Sequence, residues 1–207
     1  MATPADEAFL RDAVISLCGP LHDGLETARE IAESHFDEYE MTDPEYRPGV
    51  THLTRFHLRR ILKATDLGPW EVTSPRPNGQ VKLRNDLLTL QLLHEWPSDD
   101  VPPPGKNEAR IDYYRNPDLQ LYGTSASNLI GVWRRLPDGE VGVRIVRPVK
   151  QWKVGKKAIV DIDFPLPREE ELLKDLEFTP NDVGMELLLP VEGGIEGGIS
   201  DANDANR

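Results

Sequence analysis

Residues 128–148 read NLIGVWRRLPDGEVGVRIVRP. Two apolar-rich runs, 128–136 and 140–148, flank Pro137-Asp138-Gly139. A short turn triplet ending in glycine between two β-prone runs predicts a β-hairpin, and with it antiparallel pairing. After the hairpin, AIVDIDF at 158–164 alternates. Val160, Ile162 and Phe164 fall in phase, with Asp161 and Asp163 on the opposite face. Before it, WEVTS and QVKLR, at 70–74 and 80–84, are short strand candidates joined through Asn78-Gly79. ARIDYYR, at 109–115, also alternates as a strand would. The run LLTLQLLHEW, 87–96, fits a buried strand or a helix capped by Asp86, and periodicity alone does not separate them.

The chain upstream of Trp70 has a different period. Phe9, Leu10, Val14, Ile15 and Leu17 suit an amphipathic helix stopped by Gly19-Pro20. A second helix is expected from Asp23, with Glu26 completing a capping box. It would gather Leu25, Ala28, Ala32, His35, Phe36 and Tyr39 on one side and Glu26, Glu30, Glu33, Asp37 and Glu40 on the other. After a turn-rich 41–49, a third helix runs through THLTRFHLRRILKA and ends before Gly68-Pro69. The order predicts an α+β fold: about three N-terminal helices, then a mainly antiparallel β region, then a tail. The expected divisions are 1–68 helical, 69–166 β-rich with a Pro-rich loop at 97–107, 167–190 short and acidic, and 191–207 disordered. The Pro-rich loop could also link two halves.

The formal net charge of the 207 residues is −12. Such a field repels polyanions in general, which argues against indiscriminate binding to nucleic acid or anionic membrane. No apolar run approaches the roughly 18 residues of a membrane span, and the first residues lack the pattern of a signal peptide. Cys18 is the only cysteine, so no internal disulfide exists. A cytoplasmic location is the expectation.

Against that background, positive charge is concentrated. Residues 47–65 carry five bases and no acid, and residues 141–160 carry six bases and no acid. On a helix, His52, Arg55, Arg59 and Lys63 form one stripe. Such a stripe suits phosphates or an acidic partner, and it also suits an ordinary solvated helix face. In the second window Arg147, Lys150, Trp152, Lys153, Lys156 and Lys157 mix cations with one indole. An exposed ring among lysines is what single-stranded nucleic-acid sites use. Lysines on a protected sheet edge, with a tryptophan capping a core, give the same pattern.

Sequence motifs for catalysis are absent. There is no HExxH, no zinc-spaced Cys/His cluster, no nucleophile elbow and no phosphate-binding glycine loop. His52 and His57 are five apart and do not share a helix face. Asp161 and Asp163 on one strand face would be the pair to hold Mg²⁺ in a phosphodiester hydrolase. Tyr113, Tyr114 and Trp133 would serve a protein-binding module, because interfaces favour such side chains. The expectation is a non-enzymatic cytosolic binding or accessory protein with no cofactor or metal. It would contact an anionic partner, nucleic acid or acidic protein, through the two basic windows; the sequence leaves its oligomeric state open.

Overall fold

The computed structural model describes residues 2–73, 80–95, 101–116 and 127–174. The expected tail at 191–207 lies outside them, as does most of the 167–190 segment. The fold is α+β. An N-terminal helical region precedes a six-stranded sheet in the order β1-β2-β3-β4-β5-β6. The strands are β1 (Glu71–Val72), β2 (Val81–Arg84), β3 (Leu88–His94), β4 (Ser127–Arg135), β5 (Val141–Pro148) and β6 (Val160–Pro165). Every neighbouring pair is antiparallel except β3 and β4, which run parallel from Leu88 opposite Ser127 to His94 opposite Trp133.

The hairpin forms as expected. Leu136 N–H donates to Glu140 O at 2.8 Å, and Gly139 takes φ +92°, a conformation glycine adopts without penalty. The ambiguous run 87–96 is β3. It is buried on both faces, with Leu88, Leu90 and Leu92 on one and Gln91 and Leu93 on the other, so neither period shows in its sequence.

Five helical segments, rather than three, precede the sheet: α1 (Pro4–Val14), a 3₁₀ turn at Ile15–Leu17, α2 (Cys18–Glu33), α3 (Glu38–Thr42) and α4 (Arg47–Ala64). Gly19-Pro20 does not stop a helix; it lies in the first turn of α2, where the missing proline N–H costs nothing. Asp23 is therefore interior to α2 and caps nothing. His22 is buried. Its two ring nitrogens lie 3.1 Å from Val141 O and Leu166 O, which ties α2 to β5 and to the chain beyond β6. The expected second helix breaks after Glu33. Asp37 caps α3 with a reciprocal Glu40 contact, and His35 and Tyr39 face solvent.

Leu10 and Val14 of α1, Leu21 and Leu25 of α2, and Leu58 and Leu62 of α4 join Leu90, Leu129, Ile145 and Phe164 of the sheet in one apolar cluster. α2 and α4 approach closely because residue 24 is glycine; a Cβ there would meet Leu58 Cδ1 at 3.2 Å. Cys18 belongs to this core, and burial pushes its thiol up to about 11.

The second sheet face is covered by the parallel crossover from β3 to β4. ARIDYYR is not a strand. Asn107 caps α5 (Glu108–Tyr113), accepting from Arg110 N–H, and the six-residue helix places both tyrosines inward. Tyr113 OH bridges Thr89 O and Leu129 O, and Tyr114 OH donates to Pro102 O. Within the described part of the Pro-rich loop, residues 101–107, Val101–Pro104 is buried as part of this cover. Val101, Tyr113, Tyr114, Ile130, Val132, Val146 and Trp152 form the second cluster. Among the described residues, no helix is long and apolar enough to cross a membrane.

Candidate anion-binding groove

The charge pattern along the chain becomes a spatial one at the carboxyl ends of β3 and β4. A groove of about 980 Å³ opens there between α2, α4 and the sheet. Its walls carry Arg29 of α2, Arg47 and Arg55 of α4, and Arg134 and Arg135 at the end of β4. Glu33 and Glu95 are the acids of the same lining. Five guanidiniums against two carboxylates leave +3 among the described lining residues, on a chain of −12.

The acids are not shared equally. Glu33 lies 3.5 Å from Arg29 and 4.0 Å from Arg135, and Glu95 lies 3.6 Å from Arg134. Arg29 also donates to Gly139 O at 2.6 Å, so the hairpin turn fixes its head. Arg47 and Arg55 have no hydrogen bond or ion pair among the described residues. Arg55 is half-buried, and its Nε is shielded from solvent without an acceptor. Desolvation, and after it the charge of Arg110, hold this guanidinium below its ordinary range. A partly desolvated cation with no counter-ion among the described residues costs free energy, which an anion from outside the chain would offset.

The floor is aromatic. Trp133 is 3% exposed, and its indole N–H has no acceptor among the described residues. His94 stands edge-on to it, with ring centroids 4.5 Å apart, and its Nδ1 is 3.0 Å from Glu95 O. Desolvation and the nearby Arg55 hold the His94 imidazole below its usual value, against an opposing contribution from the Glu95 carbonyl.

The expected site residues separate. Of the stripe on α4, only Arg55 lines the groove; His52 and Lys63 are exposed, and Arg59 is half-buried beside them. Arg147 is not a surface cation. It is 1% exposed and donates from Nη1 to Asp161 Oδ2 at 2.9 Å. Trp152 is not an exposed stacking platform either. It is 7% exposed and packs on Tyr114 with centroids 5.1 Å apart, because the second sheet face needs an apolar cover. Lys150, Lys153, Lys156 and Lys157 remain exposed around a turn at Val154-Gly155.

The two basic windows do not converge. Asn116 donates to both Asn128 O and Pro148 O, so the chain leaving β5 toward the lysines sits level with Asn128. That level is five residues along β4 from Trp133, or roughly 17 Å. Asp163 pairs with Arg144 at 3.3 Å, and burial raises its carboxyl above the usual value. Both aspartates of the expected metal pair thus face arginines, and no cluster of three or more metal-ligating side chains occurs among the described residues. Tyr113, Tyr114 and Trp133 are all buried, so none presents the ring a protein-binding surface needs.

Sequence reasoning missed Arg29, Arg47, Arg134 and Arg135. Arg47 was hidden in a segment that reads as a turn. The pair Arg134-Arg135 was legible only as the end of a hairpin strand. Comparison with known proteins adds no assignment: no family model matches the chain, and no match was found among curated proteins or solved structures.

Proposed function

We infer that this chain is a non-enzymatic binding or accessory protein of the cytoplasm that holds an anionic partner in the arginine groove. The observation that carries the reading is the +3 lining on a −12 chain, with Arg47 and Arg55 lacking a counter-ion among the described residues. Arginine forks match phosphate and carboxylate oxygens two at a time, and charge-assisted bonds of this kind are the strong ones. The volume is that of a small-ligand cleft rather than of a long track. The surrounding negative surface works as a filter, because a large polyanion approaching anywhere else is repelled.

Titrating a fluorescent polyphosphate or short single-stranded RNA against the full chain at several salt concentrations tests this. On the single strand, affinity should fall with salt with a log–log slope of about 1.4, as for two phosphates neutralised. Arg55→Ala should weaken binding sharply, and Lys153→Ala with Lys156→Ala should leave it intact. Binding that ignores salt, or that follows the lysines rather than Arg55, overturns the reading.

A further inference from the structure

α4 begins inside the groove, and its start carries no acid and no side-chain cap. The residue before it, Tyr46, has helical dihedrals and accepts nothing with its side chain. Tyr46 N–H is taken by Asp43 O, Val50 N–H by Tyr46 O, and Pro48 has none. The amides of Arg47 and Gly49 are the first-turn donors that an α-helix leaves without an intrahelical partner. An 18-residue helix adds about half a positive charge at that end.

Side chains converge on the same place. At 100° per residue, Arg47, Thr51, Thr54 and Arg55 fall within roughly a 100° arc of α4, and all four line the groove. Thr54 is occupied, since its hydroxyl donates to Val50 O at 2.9 Å. Thr51 makes no hydrogen bond through its hydroxyl among the described residues and stands between the two unpaired arginines. Trp133, more than nine-tenths buried and with no acceptor for its indole N–H among the described residues, lines the same groove.

Charge matching narrows the ligand. The arginines near Glu33 and Glu95 are largely compensated, whereas Arg47, Arg55 and the helix start offer about two and a half positive charges. A phosphate diester carries one charge and two free oxygens. A phosphate monoester above its second pKa, about 6, carries two charges and three free oxygens. The second set fits two guanidinium forks, one hydroxyl and a helix start without leaving a cation over.

We propose that the groove is a receptor for a phosphate monoester, whose terminal phosphate sits over the first turn of α4 between Arg47 and Arg55. This rests on the anion-binding reading above and adds its chemical class. The monoester belongs to a small nucleotide-like molecule or to the phosphorylated end of a nucleic-acid strand. The two share the group recognised.

Calorimetry on the full chain at pH 7.5 tests it with six probes: phenyl phosphate, diphenyl phosphate, citrate, adenosine monophosphate, and a hexanucleotide with and without a 5′-phosphate. The monoesters should bind at least tenfold tighter than the diester, and the 5′-phosphorylated strand at least tenfold tighter than its hydroxyl form, the loss expected from one charged hydrogen-bonding contact. Arg55→Lys, which keeps the charge and removes the fork, should lower monoester affinity about tenfold at unchanged melting temperature. A phosphorylated strand that outbinds the mononucleotide identifies the strand end as the source; equal affinity identifies the small molecule. If citrate or the diester binds as tightly and Arg55-dependently, the groove is an anion site and the monoester proposal is wrong. If no probe binds, both readings fall.

Discussion

The two basic windows contain nearly equal charge and come to opposite ends. The window at 141–160 has six bases, yet Arg147 is buried in an ion pair and four lysines stand in water around a turn. The window at 47–65 has five, of which Arg55 and Arg47 enter a groove that three other arginines complete. Exposed lysines are strongly hydrated and bind weakly one at a time. Arg47 is exposed like those lysines, whereas Arg55 is half-buried and has already lost part of its water, so an incoming anion gains more from Arg55. Density of charge along the chain is therefore a poor guide, and convergence with desolvation is the better one.

The largest effects that can break this contrast lie in the second window and act on folding. Trp152→Ala should cost about 3 kcal/mol, because it empties a site against Tyr114 in the second core. Arg147→Ala should cost a similar ~3 kcal/mol, since it removes one partner of a buried ion pair with Asp161. Urea denaturation measures both. If either variant instead keeps its stability and loses ligand, the second window is a binding site and the contrast fails.

Arg55→Ala should do the reverse. The folded chain loses a half-buried cation with no partner among the described residues, so its melting temperature should hold or rise. Ligand affinity should drop by about 2 kcal/mol, or some thirtyfold, the scale of a charged hydrogen-bonding contact. A matched fall in both quantities would mean that Arg55 is structural and that the groove is not built around it.

What the sequence made legible follows from which signals are local. The hairpin, the helix periods and the α-then-β order depend on neighbours a few residues apart, and the α+β class follows from them. The crossover depended on weaker marks. α5 spans six residues, too few for a helical period to show, and its one signature was Asn107 as a cap. Gly19-Pro20 has two meanings, a stop for one helix or a start for the next, and packing of Leu21 and Leu25 against the sheet decided for the start. The groove was the least legible. Its arginines come from α2, α4 and β4, and only the parallel pairing of β3 with β4 sets His94 beside Trp133 and Arg134 near Glu95.

The smallest effect concerns His94 and sharpens the contrast most finely, because here the groove's two states respond to pH with opposite signs. In the free chain, desolvation against Trp133 and the charge of Arg55 lower the His94 value, while the Glu95 carbonyl opposes them and Arg134 stands on the adjoining strand. A lowered imidazole value means that the unfolded chain takes up the proton first. The contribution of His94 is present above about pH 6.5 and is lost as pH falls through the unfolded value toward the lower folded one. A bound anion offsets the field of Arg55 and favours the imidazolium. The liganded groove then takes up a proton, and affinity rises as pH falls across the same range. With sulfate as a probe that does not titrate, affinity should rise less than tenfold from pH 7.5 to 5.5. A tenfold rise would require the imidazole value to differ by about one whole pH unit between the free and the liganded groove. His57 is also lowered, by burial and then by Arg60 and His35, but it lies off the groove, so His94→Gln separates the two. That variant should flatten the pH dependence of sulfate affinity and leave the His57 contribution to stability in place. An unchanged pH profile in His94→Gln would show that the imidazole does not face the anion.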